Sequence, residues 1–461
     1  MKRIVVLLLI VFATFKISAM EITVLATDLK ADSLFLYSYS DNYRWEKSYA
    51  IPVAAKMVFK SKQSLNPGMY LVATDTLSIA YIIISDQNSQ KFTIKYENGE
   101  TSYIGSEENT ENQKYLRKMA EFQNQMQVLN VEYTALTKSE EAQEVVEYKA
   151  YDLMSRAGRL DSLKRNYQLS TSALVKGTLL SSVIRGSIEP ERAPASAMAS
   201  RDLFENYTLT HHFDYFPWED ARIFKTPVGV NKFRDYAYLI MNISKLKSMI
   251  FLEKQLDTLK SNPTAYFAFF DYMEKTFGDQ NSPFWSQSIY LLMLRNATTL
   301  DGLPQARRLR YEKTIERLDK NNPGDIAPDF PVLLSTGETT TLHNIDAEYM
   351  ILYLQNPDCP TCLEIRTRMN MIPELNAAID DKKVTVLTIY FEQNEELWRN
   401  YLAKSANPKY MHGWDYQLQI ENNHLYDTMI IPYIYLLDRE KRILRKDMQV
   451  DEIEDFFKTL K

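Results

Sequence analysis

A multidomain chain is predicted, with a small antiparallel β domain over 20–108, an all-α domain over 109–320 and a C-terminal α/β domain over 321–461. Three observations predict it. Short β-rich runs separated by turn residues fill the chain up to about Gly105. From about Asn109 the apolar residues recur at helical spacing. After Asn321-Asn322-Pro323-Gly324, where the helical pattern stops on turn residues, strand-like and helix-like stretches alternate. The length of 461 residues agrees with about three domains at roughly 150 residues each. A hydrophobic fraction of 45% and a charged fraction of 25% are close to globular averages, so the chain builds real cores. Lys plus Arg is 54 against 60 for Asp plus Glu, a net charge of -6, which leaves no basic footprint for a polyanion and argues against nucleic acid as a partner.

Residues 1–19 read as a secretory signal peptide: Met1-Lys2-Arg3, an apolar run over 4–15, then Lys16-Ile17-Ser18-Ala19. The run is too short to span a hydrocarbon core of about 30 Å, and cleavage is expected near Ala19. No cysteine lies near that site, which excludes a lipid-modified cysteine anchor. No later segment reads as a membrane span, so a soluble mature chain is expected, periplasmic in a Gram-negative cell.

In the β domain the clearest runs are 34–37, 57–59, 69–72, 79–84 and 92–94, broken by Asn66-Pro67-Gly68, Asp86-Gln87-Asn88 and Asn98-Gly99. They read as an antiparallel sandwich or barrel of about six or seven strands. In the helical domain Tyr115, Met119, Phe122, Met126, Leu129, Tyr133 and Leu136 alternate spacings of four and three, which places them on one helix face. A stripe packed on the core is expected, with a two-chain coiled coil as the alternative. Further helical patterns cover 141–167, 172–185, 196–207, 230–259, 265–277, 285–296 and 304–318. His211-His212 beside Asp214 lacks further metal ligands. Phe213, Tyr215, Phe216 and Trp218 read as a loop packed on helices rather than as a pocket. In the last domain strands are expected over 349–355, 384–390, 433–437 and 442–445, and helices over 360–379, 395–404 and from Asp451.

The chain contains two cysteines, Cys359 and Cys362. Placed at random, a separation of three would arise about once in 230 tries. A bridge across two intervening residues constrains almost no unfolded-chain entropy, so the pair reads as chemistry rather than as a staple. Asn356-Pro357-Asp358-Cys359-Pro360-Thr361-Cys362 joins an apolar strand to a helix, so Cys359 falls at the helix N-terminus. There, free backbone N–H groups and the helix dipole favour a thiolate. Pro360 suits the first helical turn, and Cys362 returns one turn later within disulfide reach. Cys359 is expected to attack and Cys362 to resolve the mixed disulfide. A compact zinc site with His412 and His424 does not fit their spacing.

These residues carry a resemblance. The last domain is similar to thioredoxin-fold domains of the TlpA/ResA-like envelope branch, through Gly324-Asp325-Ile326-Ala327-Pro328-Asp329-Phe330, the cysteine segment, and the run from Tyr426 to Asp438 that contains Ile431-Pro432. The resemblance implies a cis Ile431-Pro432 bond opposite the cysteines, with Pro360, Ile431 and Pro432 meeting the substrate chain. It also implies thiol-disulfide oxidoreductase activity, more often as a reductase, on protein thiol or disulfide substrates, with an unidentified redox partner and no cofactor. The upstream segments Gly105-Ser106-Glu107-Glu108-Asn109 and Ala221-Arg222-Ile223-Phe224-Lys225-Thr226-Pro227 resemble uncharacterised domains that precede such modules. Three departures stand out. Asp358 replaces a common Trp and is expected to oppose thiolate formation. Tyr353 stands where a buried acid is frequent, and the helix proline, Pro373, comes late. The alternative from another class is an envelope binding or scaffold protein whose last domain is mainly structural, motivated by roughly 300 residues that dithiol exchange does not require.

Overall fold

The computed structural model describes residues 19–26, 29–40, 42–85, 89–139, 142–279, 281–428 and 431–459. The expected signal peptide up to Ser18, the turn Asp86-Gln87-Asn88, and Met429-Ile430 before the proline segment lie outside the described residues. The chain divides into two compact units, Met1–Thr276 and Phe277–Lys461. No helix among the described residues is long and apolar enough to cross a membrane.

The first unit opens with β1 (Met20–Ala26), β2 (Ser33–Tyr39), β3 (Trp45–Pro52), β4 (Lys56–Ser61), β5 (Gly68–Ala73), β6 (Ser78–Ile84), β7 (Lys91–Glu97) and β8 (Glu100–Ile104). They form two four-stranded sheets, ordered β4-β1-β7-β8 and β3-β2-β5-β6. Side chains alternate between the faces of a strand, so Met20, Ile22 and Val24 of one sheet meet Leu34, Leu36, Val72 and Ile82 of the other in a shared core. One pairing departs from the antiparallel expectation: β1 runs parallel to β7, with Ile22 opposite Phe92 and Val24 opposite Ile94. The chain builds the second sheet between these strands and returns alongside β1 in its original direction, a long crossover that local strand patterns do not reveal.

Helices α1 (Glu107–Leu136), α2 (Gln143–Leu174), α3 (Leu179–Gly186), α4 (Arg201–His211), α5 (Pro227–Met241), α6 (Lys245–Leu259) and α7 (Pro263–Phe277) follow. Asn109, buried at the start of α1, ties it to β6 by accepting from the Ile83 N–H (2.7 Å) and donating to the Ile83 carbonyl (2.9 Å). Most of the apolar stripe of α1 packs within the chain: Phe122, Leu129 and Leu136 meet Leu153 and Leu160 of α2, flanked by Met119 and Met126, whereas Tyr133 is exposed. The single helix expected over 230–259 is two, because Asn242 caps the end of α5 and Ser244 opens α6. Phe213, Phe216 and Trp218 pack with Phe224, Phe233 and Phe269, the Trp218 and Phe233 rings stacking 5.7 Å apart, while Tyr215 stays outside this cluster and half-buried. His212 is buried, 2.9 Å from the Lys232 carbonyl, whereas His211 turns to Asp214 at 2.7 Å.

The second unit comprises α8 (Gln287–Thr298), α9 (Gln305–Leu318), β9 (Pro331–Leu334), β10 (Thr339–Thr341), β11 (Tyr349–Leu354), α10 (Pro360–Asn370), α11 (Pro373–Asp380), β12 (Val384–Tyr390), α12 (Glu395–Lys404), β13 (Met411–Trp414), α13 (Gln419–Asn422), β14 (Tyr433–Asp438), β15 (Ile443–Lys446) and α14 (Val450–Thr459). Its strands make one seven-stranded sheet, ordered β10-β9-β13-β12-β11-β14-β15. Central β11 is buried on both faces. Met350, Leu352 and Leu354 enter one core, and Ile351 and Tyr353 enter the other with Met369, Leu375, Ile453 and Phe457 of the covering helices. The helix expected over 360–379 breaks into α10 and α11, because Pro373 has no N–H to continue a helix and instead opens a new one.

Candidate active site

Strand β11 delivers the chain to the site. Past Leu354 the backbone turns through Asn356, whose side-chain oxygen accepts the Asp358 N–H (2.9 Å), whose carbonyl accepts the Cys359 N–H (3.1 Å), and whose amide donates to Glu392 (2.7 Å). This turn sets Cys359 as the N-cap of α10, in extended conformation (φ -76°, ψ 118°), with Pro360 in the first helical turn. The Cys359 Sγ accepts the Cys362 N–H at 3.2 Å, so sulfur does what a capping oxygen does elsewhere. The Cys362 N–H and the N-terminal end of the helix thus meet at the sulfur.

Both cysteines are free thiols, Cys359 half-buried and Cys362 fully buried. Burial, together with the neighbouring Cys359 sulfur, pushes the Cys362 thiol up to about 12. Asp358, Pro360 and Thr361 are exposed around the rim.

Strand β14 supplies the facing element. The Ile431-Pro432 bond is cis, as the resemblance implied. The antiparallel register pairs Leu354 at the end of β11 with Tyr433 at the start of β14, so the proline and the cysteine turn leave the sheet at the same end. Ile431 and Pro432 are both half-buried. Helices α8 and α9 pack here too. Tyr433 donates to Gln287 (2.6 Å), Gln287 donates to the Leu318 carbonyl (2.5 Å), and Arg317 pairs with the largely buried carboxylate of Asp427 at 2.6 Å.

Beneath the pair lies a polar layer that motif reading did not identify. The Tyr353 hydroxyl donates to the Cys362 carbonyl at 2.8 Å, so it buttresses the first turn of α10 instead of presenting an acid to the thiol. Arg366 is 3% exposed, donates to Gln355 Oε1 at 2.5 Å and lies 4.7 Å over the Tyr401 ring. His412 is buried, its Nδ1 at 2.7 Å from the Thr388 hydroxyl and its Nε2 at 2.9 Å from the Asn407 carbonyl, and burial holds its pKa below the usual range. His424 is exposed. The overlooked signal was phase: Cys362, Arg366 and Met369 recur at four and three along α10, which puts an arginine on the apolar face.

A sheet with parallel β11 and β12, antiparallel β14, a dithiol at the helix N-terminus after β11 and a cis-proline at the facing strand define a thioredoxin-like fold. A thioredoxin-like protein from Bacteroides caccae superposes with a TM-score of 0.54 at 24% identity, covering 60% of this chain and 99% of its own. The C-terminal domain of an uncharacterised protein from Bacteroides fragilis is 34% identical, covering 30% of this chain and 99% of its own, with a TM-score of 0.29. The thioredoxin domain of a thiol-disulfide oxidoreductase from Bacteroides vulgatus is 17% identical, covering 30% and 97%, with a TM-score of 0.27. The family described as domain of unknown function DUF5106 matches residues 191–321. No curated protein matches.

Proposed function

We propose that this chain is a periplasmic thiol-disulfide oxidoreductase of the TlpA/ResA-like branch, acting on protein substrates as a reductase. The observation that carries the proposal is the Cys359 sulfur at the N-cap of α10, accepting the Cys362 N–H, with the fully buried Cys362 one turn below it.

In the first step the Cys359 thiolate attacks one sulfur of a substrate disulfide. The Cys359–substrate bond forms, the substrate S–S bond breaks, and the leaving thiolate takes a proton. In the second step Cys362 loses its proton and attacks Cys359 Sγ, closing the Cys359–Cys362 disulfide and releasing the second substrate thiol. Two electrons pass from the dithiol to the substrate. With two cysteines in the chain, the electrons that restore the dithiol come from another molecule. Pro360, Ile431 and Pro432 flank the extended substrate segment, whose backbone pairs at the head of β14. Asp358 sets a negative charge at the rim and disfavours acidic substrate segments. The signal-peptide reading of 1–19 supports the compartment.

The test is trapping. Cys362→Ser expressed in its native envelope is expected to accumulate proteins disulfide-linked through the remaining cysteine, released by reductant. Cys359→Ser separates the readings: loss of reductase activity supports the enzyme, whereas a partner-binding phenotype that survives with no captured thiol protein supports the scaffold alternative.

A further inference from the structure

Arg366 is a buried cation in want of an anion. Its guanidinium is 3% exposed, yet no carboxylate among the described residues pairs with it. Its hydrogen bond goes to a neutral amide oxygen, that of Gln355, and its flat face meets the Tyr401 ring. An isolated buried charge is costly, and such charges are normally paired. The titratable groups around it are Cys362 and Cys359 on its own helix, Tyr353 on β11, Tyr401 on α12 and His412 on β13. Burial raises both tyrosines above their usual value and so keeps them neutral. His412 gains charge only as a cation, which its burial opposes. The anion that forms here is therefore a cysteine sulfur. Cys362 and Arg366 stand four residues apart on the same buried face of α10, which makes them neighbours on the helix.

Resting on the oxidoreductase reading, we propose that Arg366 is the positioning counter-ion for the Cys362 thiolate that forms as the mixed disulfide is resolved. The buried thiol ionises reluctantly, and without the cation the second step would be slower still at neutral pH. A desolvated cation held by Gln355 and Tyr401 already lies one turn along the same buried face of the helix, so the thiolate is met by protein charge rather than by water. Attack by Cys359, at the helix N-cap, does not need Arg366. The two steps of exchange thus draw on different parts of one helix: its N-terminus for attack, its buried face for resolution.

The experiment uses full-length mature protein and the chromophoric disulfide 5,5′-dithiobis(2-nitrobenzoate) in stopped flow. The first aryl thiolate released reports attack by Cys359, and the second reports resolution by Cys362. Arg366→Gln is expected to slow the second phase by about tenfold at neutral pH and to move its pH midpoint upward, leaving the first phase within about twofold. Arg366→Lys, which keeps the charge, is expected to restore the second phase to within about threefold of the parent. A folded Arg366→Gln protein with the parent rate and pH profile in the second phase overturns the proposal. If the Gln variant does not fold, the Lys variant decides: a folded Lys protein whose second-phase profile moves up as though the charge were gone overturns it equally. If the parent protein releases no first aryl thiolate, the oxidoreductase reading falls, and this inference with it.

Discussion

Cys362 lies wholly buried one helical turn below a half-buried Cys359, the difference in exposure on which the proposed order of attack rests. It also has a thermodynamic consequence. The folded protein holds the Cys362 thiol at about 12 against an ordinary 9.0, so it favours the neutral thiol more than the unfolded chain does. The stabilisation is complete below the ordinary value and is lost as pH rises from there toward the folded value. Urea unfolding of the reduced protein is therefore expected to show a midpoint that falls more steeply above about pH 9 than that of the disulfide form, which has no such thiol and shares only the buried tyrosines. Tyr353 offers a second test at this scale. Its hydroxyl supports the Cys362 carbonyl, so Tyr353→Phe is expected to cost about 1 kcal/mol in urea unfolding while leaving the proton inventory of the dithiol unchanged. The cysteines and Pro432 were legible in the sequence because spacing and motif suffice to mark them. Arg366 was not: an arginine reads as surface until the phase of its helix is compared with the buried residues around it.

Elements announce themselves when their pattern is long and repetitive. The stripe of α1 was legible over 115–136 because it repeats through several turns, and α2 of the same chain covers it. Strands β9, β10 and β13, of four, three and four residues, carry too little periodicity to be read, and they take the sheet to its seven strands. The helix expected from 230 starts earlier, at Pro227. Thr226 caps it by accepting the Gly229 N–H at 3.2 Å, and Pro227 fills the first turn. Gly229 is required for a reason the sequence does not state: a Cβ there would meet the Ile223 carbonyl oxygen at 2.2 Å. Gly229→Ala is expected to destabilise the first unit by about 2 kcal/mol or more, read as a lowered urea midpoint, because the obstacle is backbone and cannot rotate away. The ion pair between Arg317 of α9 and Asp427 belongs to this scale as well. Arg317→Ala removes an ion-pair partner from the largely buried carboxylate of Asp427, in the segment that leads to the cis-proline, and it is expected to lower the thermal midpoint of that unit by several degrees.

The whole chain joins a β sandwich and a helical region to a thioredoxin-like fold, and its second unit begins at Phe277, so α8 and α9 belong with the seven-stranded sheet. Gln287 joins Tyr433 to Leu318, and Arg317 holds Asp427, contacts that link residues far apart in sequence and so escape any local reading. A fragment of residues 277–461 is accordingly expected to unfold cooperatively at a higher temperature than a fragment of 321–461, which exposes the surface those helices cover. At the same scale, the proposed function has the two cysteines of this chain exchange electrons with another molecule. Counting free thiols in the purified protein across graded glutathione buffers tests this most directly. The account predicts a single two-electron transition in which both thiols disappear together, absent from Cys359→Ser. Two thiols that remain free from the most reducing to the most oxidising buffer would contradict it.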